Sequence, residues 1–307
     1  MPNSKKFNSN FKSDCPSGLS EHRLRIAVQR RGRLAKESMG LLKSVGLDFD
    51  YHEGRLFSPC SNFPLELLFL RDDDIPEYVQ DGVADLGIAG RNVVEEKKAK
   101  VDCLENLGFG ACRLEIAVRE GGAIQEITDL EKKRIATSHP TILTRYLKKN
   151  GIDSKVVEIS GSVEIAPILN VADAVCDLVS TGSTLKMNGL RPLVTVLRSE
   201  AVLIANSEQL GGKEKGALID RLRARLRSCL RARKMRYLMM NVRRSDWETL
   251  KRILPNLSSP TVVPLARSGW IAIHSAVPEE ALWNTIEELT LSGAKDILSV
   301  PVDIMVP

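Results

Sequence analysis

The chain has 307 residues, 43% hydrophobic and 27% charged, with a formal net charge of +5. Those proportions fit a globular protein of two or three domains and exclude a fibrous or wholly disordered one. No stretch approaches the roughly 18 uninterrupted apolar residues of a membrane helix, and the N-terminus lacks an apolar signal core, so a cytoplasmic protein without a membrane partner is expected. The six cysteines (Cys15, Cys60, Cys103, Cys112, Cys176 and Cys229) contain no CxxC pair, which argues against a disulfide framework or a cysteine zinc site. The positive charge favours anionic partners without separating a nucleotide from a nucleic acid.

Residues 1–22 are rich in Ser, Asn and Lys and read as a flexible extension that cannot bury enough apolar surface to offset ordering entropy. From Leu24 the chain alternates short apolar runs with helical patterns. LRIAVQ reads as a strand, followed by a helix after Gly32 that Gly46 stops. LELLFL, ADLGIAG, CRLEIAV, KRIATS, KVVEIS and AVCDLVS read as further strands. Helices are expected near Ile75–Gln80, Pro140–Lys149 and Val163–Leu169. This rhythm predicts an α/β fold with largely parallel sheets and helices on both faces, long enough for two lobes with a cleft between them.

The stretch IDRLRARLRSCLRARKMR places Ile219, Leu222, Leu226 and Leu230 on one helical face with arginines around it. Such a helix suits a solvated or subunit-contacting face; RNA binding is the alternative, but no aromatic side chains interleave for base stacking. Beyond it, YLMMNV, SDWETLKRIL, TVVPLA, WIAIHSA, PEEALWNTIEELTLS and DILSVPV read as βαββαβ, a ferredoxin-like domain. Ser245 and Glu248 have capping-box spacing, and Pro278 and Gly293 bracket the second helix.

Three clusters carry candidate chemistry. In ADAVCDLVSTGSTL an apolar strand runs into a loop with Ser180, Thr181, Gly182, Ser183 and Thr184. Hydroxyls, a glycine and a helix start suit a phosphate, while an ordinary capped strand-to-helix turn has the same composition. In RDDDIPEYVQ, Arg71 and three aspartates follow a strand, and Asp73 or Asp74 can equally be a helix cap. QRRGRL sets Arg30, Arg31 and Arg33 at the end of the first strand, where α/β sheets bind ligands, although surface arginines are also commonly just solvated. No GxxxxGK[ST] or GxGxxG is present.

Together LRIAVQRRGRL, RDDDIP, DGVADLGIAG with Asn92 and Glu95, FGACRL, KRIATSHP, GSVEIAP and DAVCDLVSTGSTL resemble the ATP phosphoribosyltransferase family from about Leu24 to the C-terminus. Asn170 stands where that pattern usually has glycine, and Arg31 where Lys or Ser is usual. The resemblance implies two periplasmic-binding-protein-like lobes, expected at 23–109 with 192–235 and at 110–191, followed by a histidine-binding regulatory domain at 236–307 found in the long form. ATP and phosphoribosyl pyrophosphate are the implied substrates and Mg²⁺ the implied cofactor, bound mainly through substrate oxygens. L-Histidine is the implied effector, and a homo-oligomer, dimer or hexamer, the implied assembly.

The resemblance assigns Ser180–Thr184 to the 5′-phosphate and Asp177 and Glu164 to the ribose, with Arg33 catalytic. Arg71, Asp72, Asp85 and Gly87 become ATP or pyrophosphate contacts, and Leu257, Ser259, Thr261, Gly293 and Asp296 the histidine pocket. Adenine N1 supplies its own lone pair, so no histidine is needed to create the nucleophile; His22, His52, His139 and His274 are expected to be structural or exposed. No residue is expected to be a dedicated metal ligand. A non-catalytic solute-binding protein of the same fold is the remaining alternative.

Overall fold

A computed structural model describes residues 23–51, 54–206, 213–254 and 260–306. The expected flexible extension, Cys15, His22, His52, Leu257 and Ser259 lie outside them. Starting from LRIAVQ, the chain forms β1 (Leu24–Gln29), α1 (Arg33–Ser44), β2 (Phe57–Pro59), β3 (Leu65–Leu70), α2 (Ile75–Gln80), β4 (Leu86–Gly90), α3 (Arg91–Lys97) and β5 (Asp102–Asn106). Gly46 ends the α1 turn at φ +79° and donates its N–H to the Lys43 carbonyl, as a C-terminal glycine does.

A second set follows: β6 (Cys112–Arg119), β7 (Arg134–Thr137), α4 (Pro140–Lys149), β8 (Lys155–Glu158), β9 (Ala174–Val179), α5 (Ser183–Met187) and β10 (Leu190–Ser199). The chain then returns to the first sheet as β11 (Ala201–Ala205).

The first sheet has the order β2-β3-β1-β4-β11-β5 and the second β10-β6-β9-β7-β8. Each has a parallel run: β3-β1-β4 in the middle of the first sheet, with antiparallel strands on both sides, and β9-β7-β8 at one edge of the second, with antiparallel strands beyond β9 only. The sheets are thus more mixed than the βα rhythm predicts, because β11 and β6, which follow the two crossings between lobes, pair antiparallel to their neighbours. β10 pairs with β6 throughout, so the return crossing falls after Ser199 and not at 192. The crossings are tied together where Leu107 N–H donates to the Ala201 carbonyl and Ala201 N–H to that of Phe109.

Fully buried Leu24, Ile26, Leu65, Leu67, Leu86 and Ile88 fill the centre of the first sheet. Each contributes about 1.5–3 kcal/mol relative to exposure. The second sheet buries Leu114, Ile116 and Ile135 against Leu143 and Leu147 of α4 on one side. On the other side it buries Ala117, Ala136 and Val175 under Val163 and Leu185.

Val163–Leu169 is not an α-helix. It holds a single 3-10 turn, Val163–Ile165, followed by turns whose bonds run from Ile168 N to Ile165 O and from Asn170 N to Pro167 O. Pro167 has no N–H with which to continue a helix. The chain leaves that corner through Asn170 at φ +55°, the left-handed region that explains a usual glycine; Asn tolerates it best among the other residues, and here its Oδ1 accepts from Arg119 Nη2 at 3.0 Å.

α6 (Lys213–Ala232) buries Ile219, Leu222 and Leu226 as expected, but Cys229 takes the fourth buried place and Leu230 is only half-buried. Within this helix the chain divides into two compact units, one reaching to Met39 and resuming from Leu47 to Ile219, the other made of Gly40–Gly46 and everything from Asp220 onward. The second unit thus begins before the expected boundary at 236. It contains β12 (Met235–Arg243), α7 (Trp247–Leu250), β13 (Thr261–Pro264), β14 (Trp270–Pro278), α8 (Leu282–Leu291) and β15 (Lys295–Pro301).

Its sheet order β13-β14-β12-β15 is the ferredoxin-like one, with Leu238, Met240, Val242, Ile271 and Ile273 packed against Leu250 and Leu289. Ser245 does not cap α7: a 3-10 turn begins at Arg244, which puts Ser245 inside the helical entry, and its hydroxyl donates to Asp246 Oδ1 instead. A capping box does form elsewhere, between Glu126 and Asp129. No helix among the described residues is long and apolar enough to cross a membrane.

Gly87 lies on β4, where a Cβ would meet Ile75 Cγ2 at 2.7 Å, Val79 Cγ2 at 2.8 Å and Ile204 Cγ1 at 3.2 Å. Its role is to let α2 close onto the sheet, not to face a ligand. Gly87→Ala is expected to lower stability by about 1–3 kcal/mol through overpacking, read as a lower urea midpoint at unchanged Michaelis constants. A raised constant for one substrate at wild-type stability would restore the ligand role.

Candidate active site

The C-terminal ends of the parallel strands carry the loops that face the cleft between the two sheets. Gln29, the last residue of β1, accepts the Leu34 N–H through Oε1 at 2.9 Å and so caps α1 at its first turn. Gly32, at φ +120°, leaves space that a Cβ would take from the Gln29 amide, only 2.5 Å away. This tight turn sets Arg33 as the first residue of α1, exposed at the edge of a cavity of about 450 Å³. After β3, Asp72–Asp74 form a 3-10 turn, and Asp72 and Asp73 enter the same cavity. Neither Asp73 nor Asp74 makes a side-chain cap, so the capping explanation for this cluster fails.

Asp72 Oδ1 is buried with no hydrogen-bond partner. Burial, reinforced by the like charge of Asp73 and only partly offset by Arg33, raises the Asp72 carboxyl from 3.8 to about 6.

From the second sheet come Leu178 and Ser180 at the end of β9 and His139 at the start of α4. Asp177 is pushed above the ordinary carboxylate range by burial; its Oδ1 accepts its neighbour's N–H, His139 and Arg33 act in the opposite sense to burial, and Glu164 adds to the rise. Gly182 turns the loop at φ +81° into α5, with Thr181 Oγ1 and Ser183 Oγ 3.0 Å apart and the side chains of Ser180, Thr181, Ser183 and Thr184 exposed. The loop's hydroxyls are thereby left available to a ligand.

The two lobes meet at Asn92, which follows β4. Ser199 Oγ accepts the Asn92 N–H at 3.0 Å and donates to Asn92 Oδ1 at 2.9 Å, and Asn92 Nδ2 lies 3.2 Å from His139 Nε2. Since an amide nitrogen only donates, Nε2 must be the unprotonated acceptor, and the proton sits on Nδ1, 3.0 Å from Ser138 Oγ. Burial also holds His139 below the ordinary imidazole range, so it is neutral at neutral pH.

The ATP phosphoribosyltransferase family model matches residues 71–228, and the model of the HisG C-terminal domain matches 232–303. An ATP phosphoribosyltransferase of Cytophaga hutchinsonii is 48% identical over 280 residues, 91% of this chain and 97% of the relative. One from Bacteroides fragilis is 42% identical, covering 92% and 99%.

The chain belongs to the ATP phosphoribosyltransferase family.

Among solved structures, the ATP phosphoribosyl transferase (HisG:HisZ) complex from Thermotoga maritima matches with TM-score 0.57 and 28% identity, covering 66% of this chain and 98% of that one. The match to the C-terminal model makes this chain a long-form member, as the sequence resemblance implied.

Against the residues assigned by resemblance to that family, the structure gathers Arg33, Asp72 and Ser180 around one cavity, with Asp177, Glu164 and the rest of the Ser180–Thr184 loop on the same side of the second lobe. Arg71 is exposed just before the aspartate turn. Asp85 is elsewhere: it precedes β4, at the opposite end of the sheet, where its Oδ2 accepts the Arg25 N–H and its Oδ1 pairs with Lys215, each at 2.8 Å. Gly87 is internal to the sheet. Neither reaches the cleft.

In the C-terminal domain Thr261 lies on edge strand β13, whereas Gly293 and Asp296 lie at β15 on the other edge. Three strand spacings of roughly 4.8 Å separate those edges, so a single chain does not bring these residues together.

Sequence reasoning missed His139, Asn92 as a binding partner, and Glu37. The one available signal was a histidine directly ahead of the proline that opens α4, at the end of a strand.

Asp72 also makes stability pH-dependent. The native carboxyl keeps its proton up to about pH 6, whereas the unfolded one releases it near 3.8, so the native state binds more protons between those values and stability falls as pH rises through that window. Asp72→Asn should therefore match the wild type below about pH 4 and exceed it above pH 6 by on the order of 2 kcal/mol. Urea unfolding at several pH values reads this, and a difference that does not vary with pH would remove the buried-charge assignment.

Proposed function

We propose that the cleft of this long-form family member is where ATP and 5-phosphoribosyl 1-pyrophosphate condense to 1-(5-phosphoribosyl)-ATP and pyrophosphate, the glycosyl transfer that opens histidine biosynthesis. The observation that carries the reading is the convergence of Arg33, the half-buried Asp72 and Ser180, which opens the Ser180–Thr184 loop, on one cavity from three strand ends. The 5′-phosphate lies against the loop, whose left-handed Gly182 lets the backbone approach the anion, with Asp177 and Glu164 accepting from the ribose hydroxyls. Adenine N1 then attacks the anomeric carbon as the bond to pyrophosphate breaks. Rate comes from alignment and from charge stabilisation of the leaving group, in which the Arg33 guanidinium takes part. The neutral His139 lines the cavity and adds no charge to it.

Among the described residues no group of three or more His, Cys, Asp or Glu side chains is placed to hold a metal ion. Asp72, with one buried oxygen unpartnered, and Asp73 beside it fit the lighter demand of Mg²⁺, which binds through one or two carboxylates plus substrate phosphates. These two would hold the ion, and when bound it would neutralise charge on the pyrophosphate.

The C-terminal domain is proposed to bind L-histidine and inhibit without competing with phosphoribosyl pyrophosphate. Because Thr261 and Asp296 lie on opposite edges of one sheet, a pocket using both requires the β13 edge of one copy beside the β15 edge of another, which favours a homo-oligomer, dimer or hexamer. A cytoplasmic location agrees with such a biosynthetic role.

Thr184→Ala should raise the Michaelis constant for phosphoribosyl pyrophosphate through loss of a hydrogen bond to a charged group, about 1.5–3 kcal/mol, at wild-type unfolding midpoint. Unchanged kinetics in a pyrophosphate-release assay would remove the loop from the site. For the effector, equilibrium dialysis with labelled histidine should show saturable binding that Thr261→Ala weakens at unchanged basal turnover. Absence of binding at millimolar histidine would leave the domain an assembly module.

A further inference from the structure

His139 lines the reaction cavity, yet both of its ring nitrogens are engaged by protein groups. Nε2 faces Asn92 Nδ2 at 3.2 Å, and Nδ1 faces Ser138 Oγ at 3.0 Å. The roles are fixed from the far end of the series. Ser199 Oγ accepts the Asn92 N–H and gives its own proton to Asn92 Oδ1, which leaves the amide nitrogen to donate to Nε2. The neutral ring then carries its single proton on Nδ1. A ring committed in this way has no lone pair left for a substrate proton and no N–H left for a phosphate oxygen.

The main chain of His139 carries the connection further. Its N–H donates to Thr137 Oγ1 at 2.9 Å, and that hydroxyl donates to the Cys176 carbonyl at 2.7 Å. Thr137, on β7, is fully buried, and Cys176 is its register partner on β9. The next residue of β9 is Asp177, and the strand runs out into Ser180 and the Thr-Gly loop. Hydrogen bonds thus lead without a gap from Ser199, where β10 ends, through Asn92 at the start of α3 in the first lobe, to the strand of the second lobe that bears the loop.

We propose that His139 is a positioning residue for the glycosyl transfer: its ring, held by Asn92, sets the end of β9 and its loop against the first-lobe strand ends that carry Arg33 and Asp72. The inference rests on the reaction proposed above. Attack on the anomeric carbon needs groups of both lobes in register, and a displacement of about 1 Å in such a site costs on the order of 100-fold in rate. What the ring supplies is an acceptor at the place of Nε2, not an exchangeable proton.

His139→Gln puts an amide oxygen near the place of Nε2 and takes up no proton, whereas His139→Leu fills similar space without an acceptor. Pyrophosphate release by the full chain is compared for both, alone and combined with Asn92→Leu, with urea midpoints as the check on folding. His139→Leu should lower kcat about 10- to 100-fold and leave both Michaelis constants within about threefold, while His139→Gln should recover kcat to within about threefold of the wild type. Combined with Asn92→Leu, the two His139 variants should agree within about twofold, because the acceptor has lost its donor. Nitrogen NMR of the wild type with isotope-labelled histidine should show the His139 ring neutral and protonated at Nδ1. Should the combined variants not fold, the single pair and the ring tautomer decide.

Equal impairment by the two single variants would make His139 a proton-transferring group and overturn the proposal. So would a kinetically silent His139→Leu, a loss confined to a Michaelis constant, an advantage of His139→Gln that survives Asn92→Leu, or a ring protonated at Nε2. Absence of pyrophosphate release by the wild type would sink the reaction and the positioning role with it, and the ring tautomer would still report separately whether the link to Asn92 exists.

Discussion

Glu96 bridges the two lobes. It lies on α3 in the first lobe, and its Oε1 and Oε2 accept the N–H groups of Thr141 and Ile142 at the first turn of α4 in the second, at 2.8 and 3.0 Å. Those N–H groups have no partner within their own helix, because the first turn of any helix leaves its donors free, and Pro140 has none to give. A carboxylate answering two of them is a charge-assisted cap supplied from across a cleft. Beside it Arg145 pairs with Glu95 at 2.6 Å, and the Ser199–Asn92–His139 hydrogen bonds run parallel to the same seam. The tautomer of His139 follows from this seam.

Glycine is what lets the seam close. A Cβ on Gly90 would lie 2.5 Å from Asn92 Oδ1, the atom that accepts from Ser199. A Cβ on Gly110, in the crossing that leads to β6, would lie 2.2 Å from Leu34 Cδ2, and its φ of +65° is itself a glycine conformation. Backbone at the crossings therefore approaches side chains of α1 and α3 more closely than any other residue allows.

The two lobes separate structure from chemistry along their strands. Asp85 accepts the Arg25 N–H and Asp173 the Arg134 N–H, each at 2.8 Å, so in both lobes an aspartate just before a strand ties down the start of the parallel neighbour. The opposite strand ends, free of that constraint, turn into Gly32, the Asp72–Asp74 turn, His139 and the Thr-Gly loop.

The sequence by itself determined seven strands between Leu24 and Val179, though not the edge strands β2 and β5, together with the βαββαβ order of the tail and the family, because apolar period and turn residues are local and the motif runs are long. It also marked Arg33, Asp72 and the Ser180–Thr184 loop. What only the tertiary structure decided depends on residues far apart in the chain. Asp85 and Gly87 sit inside a run that reads like a ligand motif, yet one pairs with Lys215 and the other makes room for α2, contacts that no local pattern encodes. Thr261 and Asp296 fall on opposite sheet edges because β14 and β12 lie between them. His139, Asn92 and Ser199 are 47 and 107 positions apart pairwise from Asn92, and meet only when the chain has crossed between lobes twice.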